Sequence, residues 1–336
     1  MYSIGMGKLK KMKRVVHRTE KVLLFVRGLS DITKEDIALA GGKGASLGEL
    51  MKAGLPVPPG FVVTAQAFDS FLKETELLED IEAQLERVNY KDTNSIDRAS
   101  NIIRSLILEA PFPRDLRRDV MKLYNTLHVP FVAVRSSATA EDSKTASWAG
   151  ELETYLNTSA KILFSNIQKC WASLFSSRAI FYRHEKNLHR RHVSVAVVVQ
   201  AMIQSEIAGI AFTVHPVTKD KNQMIIEAGW GLGEAVVSGQ ITPDSYIINK
   251  KDLSVIDLHT AKQERKLTRS LKGSGDRRVS VPVVQQAKQK LSLARIKELA
   301  GICVSVERHY RFPCDIEWAF VRGKFYLLQS RPITTL

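Results

Sequence analysis

The stretch that most constrains the fold is near the C-terminal end, CDIEWAFVRGKFYLLQSRP, Cys314 to Pro332. Residues 315–321 and 325–331 are rich in aromatic and apolar side chains. They flank Arg322-Gly323-Lys324, where the glycine can take a positive φ. The pattern predicts a β-hairpin. Alternation sends Ile316, Trp318 and Phe320 to one face of its first strand, and Asp315, Glu317, Ala319 and Val321 to the other. A three-residue loop would set Val321 opposite Phe325, Glu317 opposite Gln329 and Asp315 opposite Arg331. One face then gathers two carboxylates, an amide and a guanidinium. Glu317 and Gln329 offer oxygen ligands of the kind Mg²⁺ takes, and Arg331 offers a fork suited to phosphate. The same residues also suit a solvated strand face with a cross-strand ion pair, so the hairpin alone leaves both readings open.

At 336 residues, 44% hydrophobic and 25% charged, the chain has the composition of a globular protein with a sizeable core. Its formal net charge of +14 is uneven: residues 1–27 hold eight Lys/Arg against one acid, Glu20, and further basic residues crowd between Lys262 and Arg278. Such an excess suits polyphosphate or nucleic-acid partners. No aromatic residues interleave the basic runs, which disfavours single-stranded nucleic acid. The three cysteines, Cys170, Cys303 and Cys314, form no CxxC pair and no zinc spacing, in keeping with a reducing compartment. The apolar run at 193–199 is too short to span a bilayer, and that at 22–26 too short for a secretory leader. The expected location is the cytoplasm, without membrane association.

Along the chain, residues 1–21 form a basic lead-in with no apolar period, expected to be disordered. Residues 22–26 predict a first strand. Next comes Ala40-Gly-Gly-Lys-Gly-Ala-Ser-Leu-Gly-Glu-Leu-Met51, glycines running into a helical apolar pattern. A loop feeding a helix N-terminus can hold an anion, with Lys43 adding a point charge, although a plain tight turn fits as well. It is not a Walker A loop, because Gly44 follows Lys43. Residues 61–64 predict a strand; 67–87 and 95–110 predict helices. A buried strand at 131–135 ends in Arg135-Ser136-Ser137, followed by a long small-residue loop reaching Gly150 and Thr154. An arginine at a strand end beside hydroxyls and a Gly-containing flap suits a polyphosphate clamp, or a surface loop with an ion-paired arginine.

The apolar spacing predicts a helix over 161–183, and His184, His189 and His192 lie in a basic linker. Strands follow at 193–203, 209–214, 223–228, 245–249 and 254–258. Gly229-Trp-Gly-Leu-Gly-Glu234 misses the dinucleotide fingerprint, since Glu234 stands where a third glycine belongs. Residues 260–280 are expected to form a basic Gly/Ser-containing loop, and 283–310 a helix.

Several blocks together resemble a known family. Gly41-Gly-Lys-Gly-Ala-Ser-Leu-Gly48, Val57-Pro-Pro-Gly-Phe61, Arg135-Ser-Ser-Ala-Thr-Ala-Glu-Asp142, Ser147-Trp-Ala-Gly150, Glu227-Ala-Gly-Trp-Gly-Leu-Gly-Glu234, Asp315-Ile-Glu-Trp318 and Gln329-Ser-Arg-Pro332 resemble the ATP-binding domain of phosphoenolpyruvate synthase. Pyruvate phosphate dikinases and rifamycin phosphotransferases share that domain. The resemblance runs from about residue 22 to 334. It implies an α+β, ATP-grasp-like fold of two lobes with ATP in the cleft between them. The N-terminal lobe would take residues 22–192 and the C-terminal lobe 193–336.

By motif position, Lys43, Arg135 and Arg331 would hold the phosphates and carry the transfer chemistry. The loop from Ser147 through Gly150 to Thr154 would close over them. Gln200 and Met202 would meet adenine through backbone groups, and Glu227 would reach the ribose. Glu317 and Gln329 would ligate Mg²⁺. The implied activity is a phosphotransferase with paired acceptors: the β,γ-pyrophosphoryl group of Mg-ATP goes to a histidine, and ultimately pyruvate is phosphorylated. None of the eight histidines stands in the family's Thr-Gly-Gly…His motif. The phosphohistidine domain and the pyruvate-binding barrel are therefore expected on another chain, or lost by truncation. The alternatives are a non-catalytic ATP-binding regulatory remnant, or the corresponding module of an antibiotic phosphotransferase.

Overall fold

The structure is a computed structural model that describes residues 25–139, 153–186 and 193–333. The basic lead-in, residues 140–152 with Ser147 and Gly150, and the linker residues His189 and His192 lie outside the described residues.

The first part of the chain runs β1 (Val26–Gly28), α1 (Ile37–Lys52), β2 (Gly60–Val63), α2 (Ala65–Glu74), α3 (Leu77–Glu86), α4 (Thr93–Glu109), α5 (Arg114–Thr126), β3 (Val132–Ala138), β4 (Thr154–Thr158), α6 (Leu163–Ala172), α7 (Ser177–Glu185) and β5 (Val195–Ala201). Its strands form one sheet in the order β1-β2-β5-β3-β4, every neighbour antiparallel. β5 reads VAVVVQA and is buried along its whole length, as a central strand covered on both faces must be. Val195, Val197 and Val199 enter a cluster with Phe68, Phe71, Ile103 and Trp171 from the helical side. Ala196 and Val198 turn the other way, onto Leu29, Ile32, Ala40 and Leu47. β5, which begins two residues after the expected boundary at 193, is the central strand of this first sheet.

Beyond Ala201 come β6 (Ile207–Phe212), β7 (Gln223–Trp230), α8 (Glu234–Val237), β8 (Asp244–Asn249), β9 (Val255–His259), β10 (Arg265–Arg269), β11 (Asp276–Ser280), α9 (Val283–Gln286), α10 (Leu293–Tyr310), β12 (Cys314–Val321) and β13 (Lys324–Pro332). Six of these strands build a second antiparallel sheet, β13-β12-β6-β7-β8-β9. Ile296, Leu299, Cys303 and Val306 of α10 bury against Ile316, Trp318 and Leu327 on one face. Antiparallel sheets with helices packed on them make the chain α+β.

α1 ties the two sheets together. Its Leu47 belongs to the cluster under the first sheet, and its Leu50 to the cluster under the second. Ser46 Oγ donates to the Ser330 carbonyl at 2.7 Å, and Tyr310 Oη to the Ser46 carbonyl at 3.1 Å. The side chains of His309 and Glu49 meet at 2.8 Å. Burial raises the Glu49 carboxyl, but the hydrogen bonds and charges of His309 and Lys34 together outweigh it and hold the carboxyl below its usual range.

Three expected long helices are broken by local chemistry. The 67–87 helix parts at Glu76, in left-handed backbone with φ 59°. The 161–183 helix restarts where Ser176 caps the Ala179 N–H, and the 283–310 helix where Ser292 caps Arg295. The expected loop at 260–280 contains the paired strands β10 and β11. α5 was not anticipated, although Leu116, Val120 and Tyr124 are buried at four-residue spacing along it. No helix among the described residues is long and apolar enough to cross a membrane.

One charge pair is sealed inside the second half. Lys290 Nζ meets Asp244 Oδ1 at 2.7 Å with both side chains fully inaccessible, and Asp244 also accepts from the Ala261 N–H and the Tyr246 hydroxyl. Substituting Lys290→Met leaves that carboxylate without its cation, so urea denaturation should show a loss of about 3–5 kcal/mol. Lys262→Ala removes an exposed pair with Glu264 and should leave the midpoint unchanged.

Candidate functional site

Turn chemistry decides which side chains the C-terminal hairpin presents. Arg322 and Gly323 take φ values of 49° and 77°, the two-residue geometry whose twist suits antiparallel strands. The loop therefore has two residues, with Val321 opposite Lys324, and not the three expected with Val321 opposite Phe325. Continued without a break, that register would set Glu317 opposite Leu328. A bulge beside Glu317 and Trp318 instead leaves Leu328 out of the ladder, so Glu317 faces Gln329 and Asp315 faces Arg331. The expected pairs at the open end are present, brought about by a bulge in place of a longer loop.

The bulge also supplies a hydrogen-bond acceptor. Arg135, on β3 of the other sheet, donates from Nη1 to the Leu328 carbonyl and from Nη2 to Glu317 Oε2, both at 2.6 Å. The two side chains are only 10% and 19% exposed, so solvent screens this charge-assisted contact weakly.

Lys43 arrives on α1 just after a break. Gly41 has φ 67° and ψ 175° inside the helix, and a Cβ there would lie 2.2 Å from Ser137 Oγ. Only glycine permits that approach. The helix resumes at once, with the Gly44 N–H donating to Ser137 Oγ at 3.3 Å. The expected loop is thus a one-residue kink that sets Lys43 in a fresh first turn beside β3.

These elements enclose a cleft of about 430 Å³. Lys43, Arg135, Arg331, Glu317 and Gln329 all line it, and so do Thr154, Gln200 and Met202. The Met202 N–H already donates to the Phe131 carbonyl at 3.1 Å, and Gln200 Nε2 to the Pro58 carbonyl at 3.2 Å. Ser147 and Gly150 lie outside the described residues. Glu227 is not among the cleft-lining residues. It shares a row of the second sheet with Glu317, one strand away across Ile210, about 10 Å at ordinary strand spacing. Burial, with the nearby Asp315, pushes its carboxyl up.

Glu234, at the other end of the glycine-rich stretch from Glu227, does line the cleft, as Glu317 does. Burial pushes its carboxyl above the usual range, with Glu317 adding to the shift and Arg135 opposing it. Asp315 is likewise raised by burial, against the pull of Arg331, whose Nε donates to Asp315 Oδ2 at 2.8 Å. Cys314, next along β12, is pushed up to about 12 by burial. Among the described residues no three His, Cys, Asp or Glu side chains gather to hold a metal ion by themselves. Glu317 and Gln329, adjacent in register, offer the short oxygen set of a Mg²⁺ site completed by phosphate and water.

Comparison with known proteins accords with this geometry. Residues 37–336 match the family model described as the pyruvate phosphate dikinase, AMP/ATP-binding domain. A probable phosphoenolpyruvate synthase of Methanocaldococcus jannaschii is 48% identical over 319 residues, covering 93% of this chain and 27% of that protein. One of Methanothermobacter thermautotrophicus is 42% identical, covering 94% of this chain and 47% of the relative. The phosphoenolpyruvate synthase of Pyrococcus furiosus is 38% identical, covering 93% and 44%. The chain thus spans about a quarter to a half of the length of these relatives.

Glu234 yields a pH test. A carboxyl raised in the folded protein destabilises it when ionised. That penalty is absent below the ordinary glutamate pKa of about 4.3 and grows as pH rises through the raised native value. Glu234→Gln should therefore melt above the wild type at pH 7, and the difference should close as pH falls through the carboxylate range. A constant difference across that range would place the effect elsewhere.

Proposed function

Because the chain belongs to the pyruvate phosphate dikinase AMP/ATP-binding domain family, we propose that its cleft binds Mg-ATP and hands the β,γ-pyrophosphoryl group to a histidine of a domain outside this sequence. The observation that carries this is the convergence, from two separate sheets and α1, of Lys43, Arg135 and Arg331 with Glu317 and Gln329 around one cleft. The two sheets act in this reading as the lobes of an ATP-grasp-like fold.

Phosphoryl-type transfers ask mainly for positioning and charge neutralisation. Lys43, Arg135 and Arg331 offset the triphosphate charge. Arg135 has a buried Nε without a partner among the described residues, which leaves a donor for a phosphate oxygen. Glu317 and Gln329 would hold Mg²⁺, which when bound lends Lewis acidity to the phosphates. The base would lie against the segment from Met202 to Ser205. There the Met202 carbonyl and the Gln204 N–H have no hydrogen-bond partner among the described residues.

No histidine among the described residues lines the cleft, in keeping with an acceptor imidazole supplied by another domain. Its nitrogen would attack the β-phosphorus, and the bond from that phosphorus to the α,β-bridging oxygen would break. AMP would leave with the electron pair. Water would then take the γ-phosphate and pyruvate the β-phosphate, on the parts of the enzyme outside this chain. The relatives, named as phosphoenolpyruvate synthases, favour pyruvate as the final acceptor.

ATP with Mg²⁺ should raise the melting temperature. Lys43→Ala and Arg135→Ala should shrink that rise, and the exposed Lys91→Ala should not. With β-labelled ATP and the histidine domain of a related enzyme, label should appear on the domain while AMP accumulates. Glu317→Gln should slow transfer by about 10²–10³. ATP binding without label transfer to several such domains would favour a regulatory ATP-binding module. Phosphoenolpyruvate made by this chain alone would contradict transfer to a separate domain.

A further inference from the structure

β4 carries an irregularity facing β3. Val132 pairs with Thr158, but Val134 pairs with Tyr155, so Leu156 and Asn157 together face the single residue Ala133. Asn157 takes φ 51° and is fully inaccessible. A buried asparagine in left-handed backbone is held there by its hydrogen bonds. Those of Asn157 reach two other elements. Nδ2 donates to Asp276 Oδ1 on β11, and Oδ1 accepts from Gln204 Nε2 in the segment after β5, each at 2.5 Å. Its main-chain carbonyl accepts from the Gly275 N–H at 3.2 Å. The amide orientation follows from chemistry: an ionised Asp276 can only accept, so Nδ2 must face it and Oδ1 is left for Gln204.

Both partners bear on the cleft. Met202, Ile203 and Ser205, on either side of Gln204, line it. The segment is anchored at its ends, where the Met202 N–H donates to Phe131 and the Glu206 N–H to Phe320 at 2.9 Å. Between those anchors Asn157 holds the Gln204 side chain. The β10–β11 hairpin is strapped down on both sides. Ser274 Oγ donates to Ser159 Oγ at 2.8 Å on the side of β4, and the Leu232 N–H donates to the Leu267 carbonyl at 2.9 Å beside the glycine-rich turn. Arg269 lies over the Phe131 ring at 4.7 Å.

We propose that Asn157 is a positioning residue for the nucleotide base. Without lining the cleft, its amide locks the 202–205 segment to β4 and to the β10–β11 hairpin, and so fixes the backbone edge that a purine meets. The proposal rests on the reading of the cleft as an ATP site.

The test separates base from phosphate. Asn157→Gly keeps the left-handed backbone and removes the amide; Gln204→Ala removes the partner from an exposed position that does not threaten folding. Calorimetry with Mg²⁺ should show ATP affinity falling about tenfold in each variant, the worth of one such hydrogen bond, and no further in the double variant. Inorganic tripolyphosphate affinity should stay at the wild-type value, and discrimination between ATP and GTP should narrow. If Asn157→Gly does not fold, Gln204→Ala decides alone. Parallel losses for ATP and tripolyphosphate, or unchanged ATP affinity, would overturn the positioning role. Wild-type protein that binds tripolyphosphate but not ATP would overturn the nucleotide reading itself, and the base-positioning role with it.

Discussion

One guanidinium holds the site together. Arg135 leaves the middle of β3 in the first sheet and bonds Glu317 and the Leu328 carbonyl in the second. The next residues of β3 extend the same support. Ser136 Oγ donates to the Glu153 carbonyl at the start of β4, and Ser137 receives the Gly41 kink of α1. The three consecutive residues therefore fix, in turn, the hairpin, the root of the loop after β3 and the helix that carries Lys43. Because β3 is buried on all seven of its residues, this support is as rigid as the core beneath it.

The charges around that support are balanced before any ligand arrives. Glu317 is paired with Arg135 and Asp315 with Arg331, while Glu227 and Glu234 have carboxyls raised by burial. Leaving an acid of this kind buried without a partner is costly. A ligand that combines negative phosphates with a divalent cation meets both halves at once, anions for the guanidiniums and a cation for the carboxylates. A bare anion or a bare cation would satisfy one half and strand the other. Such a charge pattern would suit the Mg-ATP proposed for the cleft.

The sequence made part of this legible. Alternation in residues 315–321 sorted Asp315 and Glu317 onto one face; their pairs with Arg331 and Gln329 were expected from a three-residue loop, and with the two-residue loop present they depend on the bulge. The bulge at Leu328 has no residue signature, since any apolar residue can occupy it. The run of valines in β5 announces burial on both faces but not which sheet buries it. Glu234 was visible only as a missing glycine, because its role comes from burial beside Glu317 and Arg135, distant in sequence. The β10–β11 strands hide in a Lys/Arg/Ser composition that reads as loop. Much of what holds them lies outside their own sequence, in Asn157, Ser159, Phe131 and Leu232.

A three-residue loop would have given the same pairs at the open end of the hairpin, so the two-residue loop with a bulge needs its own reason. In a regular ladder the carbonyl nearest Glu317 would be engaged by its neighbour strand. Arg135 would then be free to close both its Nη groups on the carboxylate, the bidentate geometry that guanidinium favours. Both oxygens of Glu317 would be consumed. With the Leu328 carbonyl turned toward it, Arg135 divides its donors and touches Glu317 through Oε2. The remaining carboxylate oxygen stands outside that contact, beside Gln329 in register. The bulge thereby leaves one oxygen of Glu317 outside the ion pair across the sheets, as the proposed cation site requires.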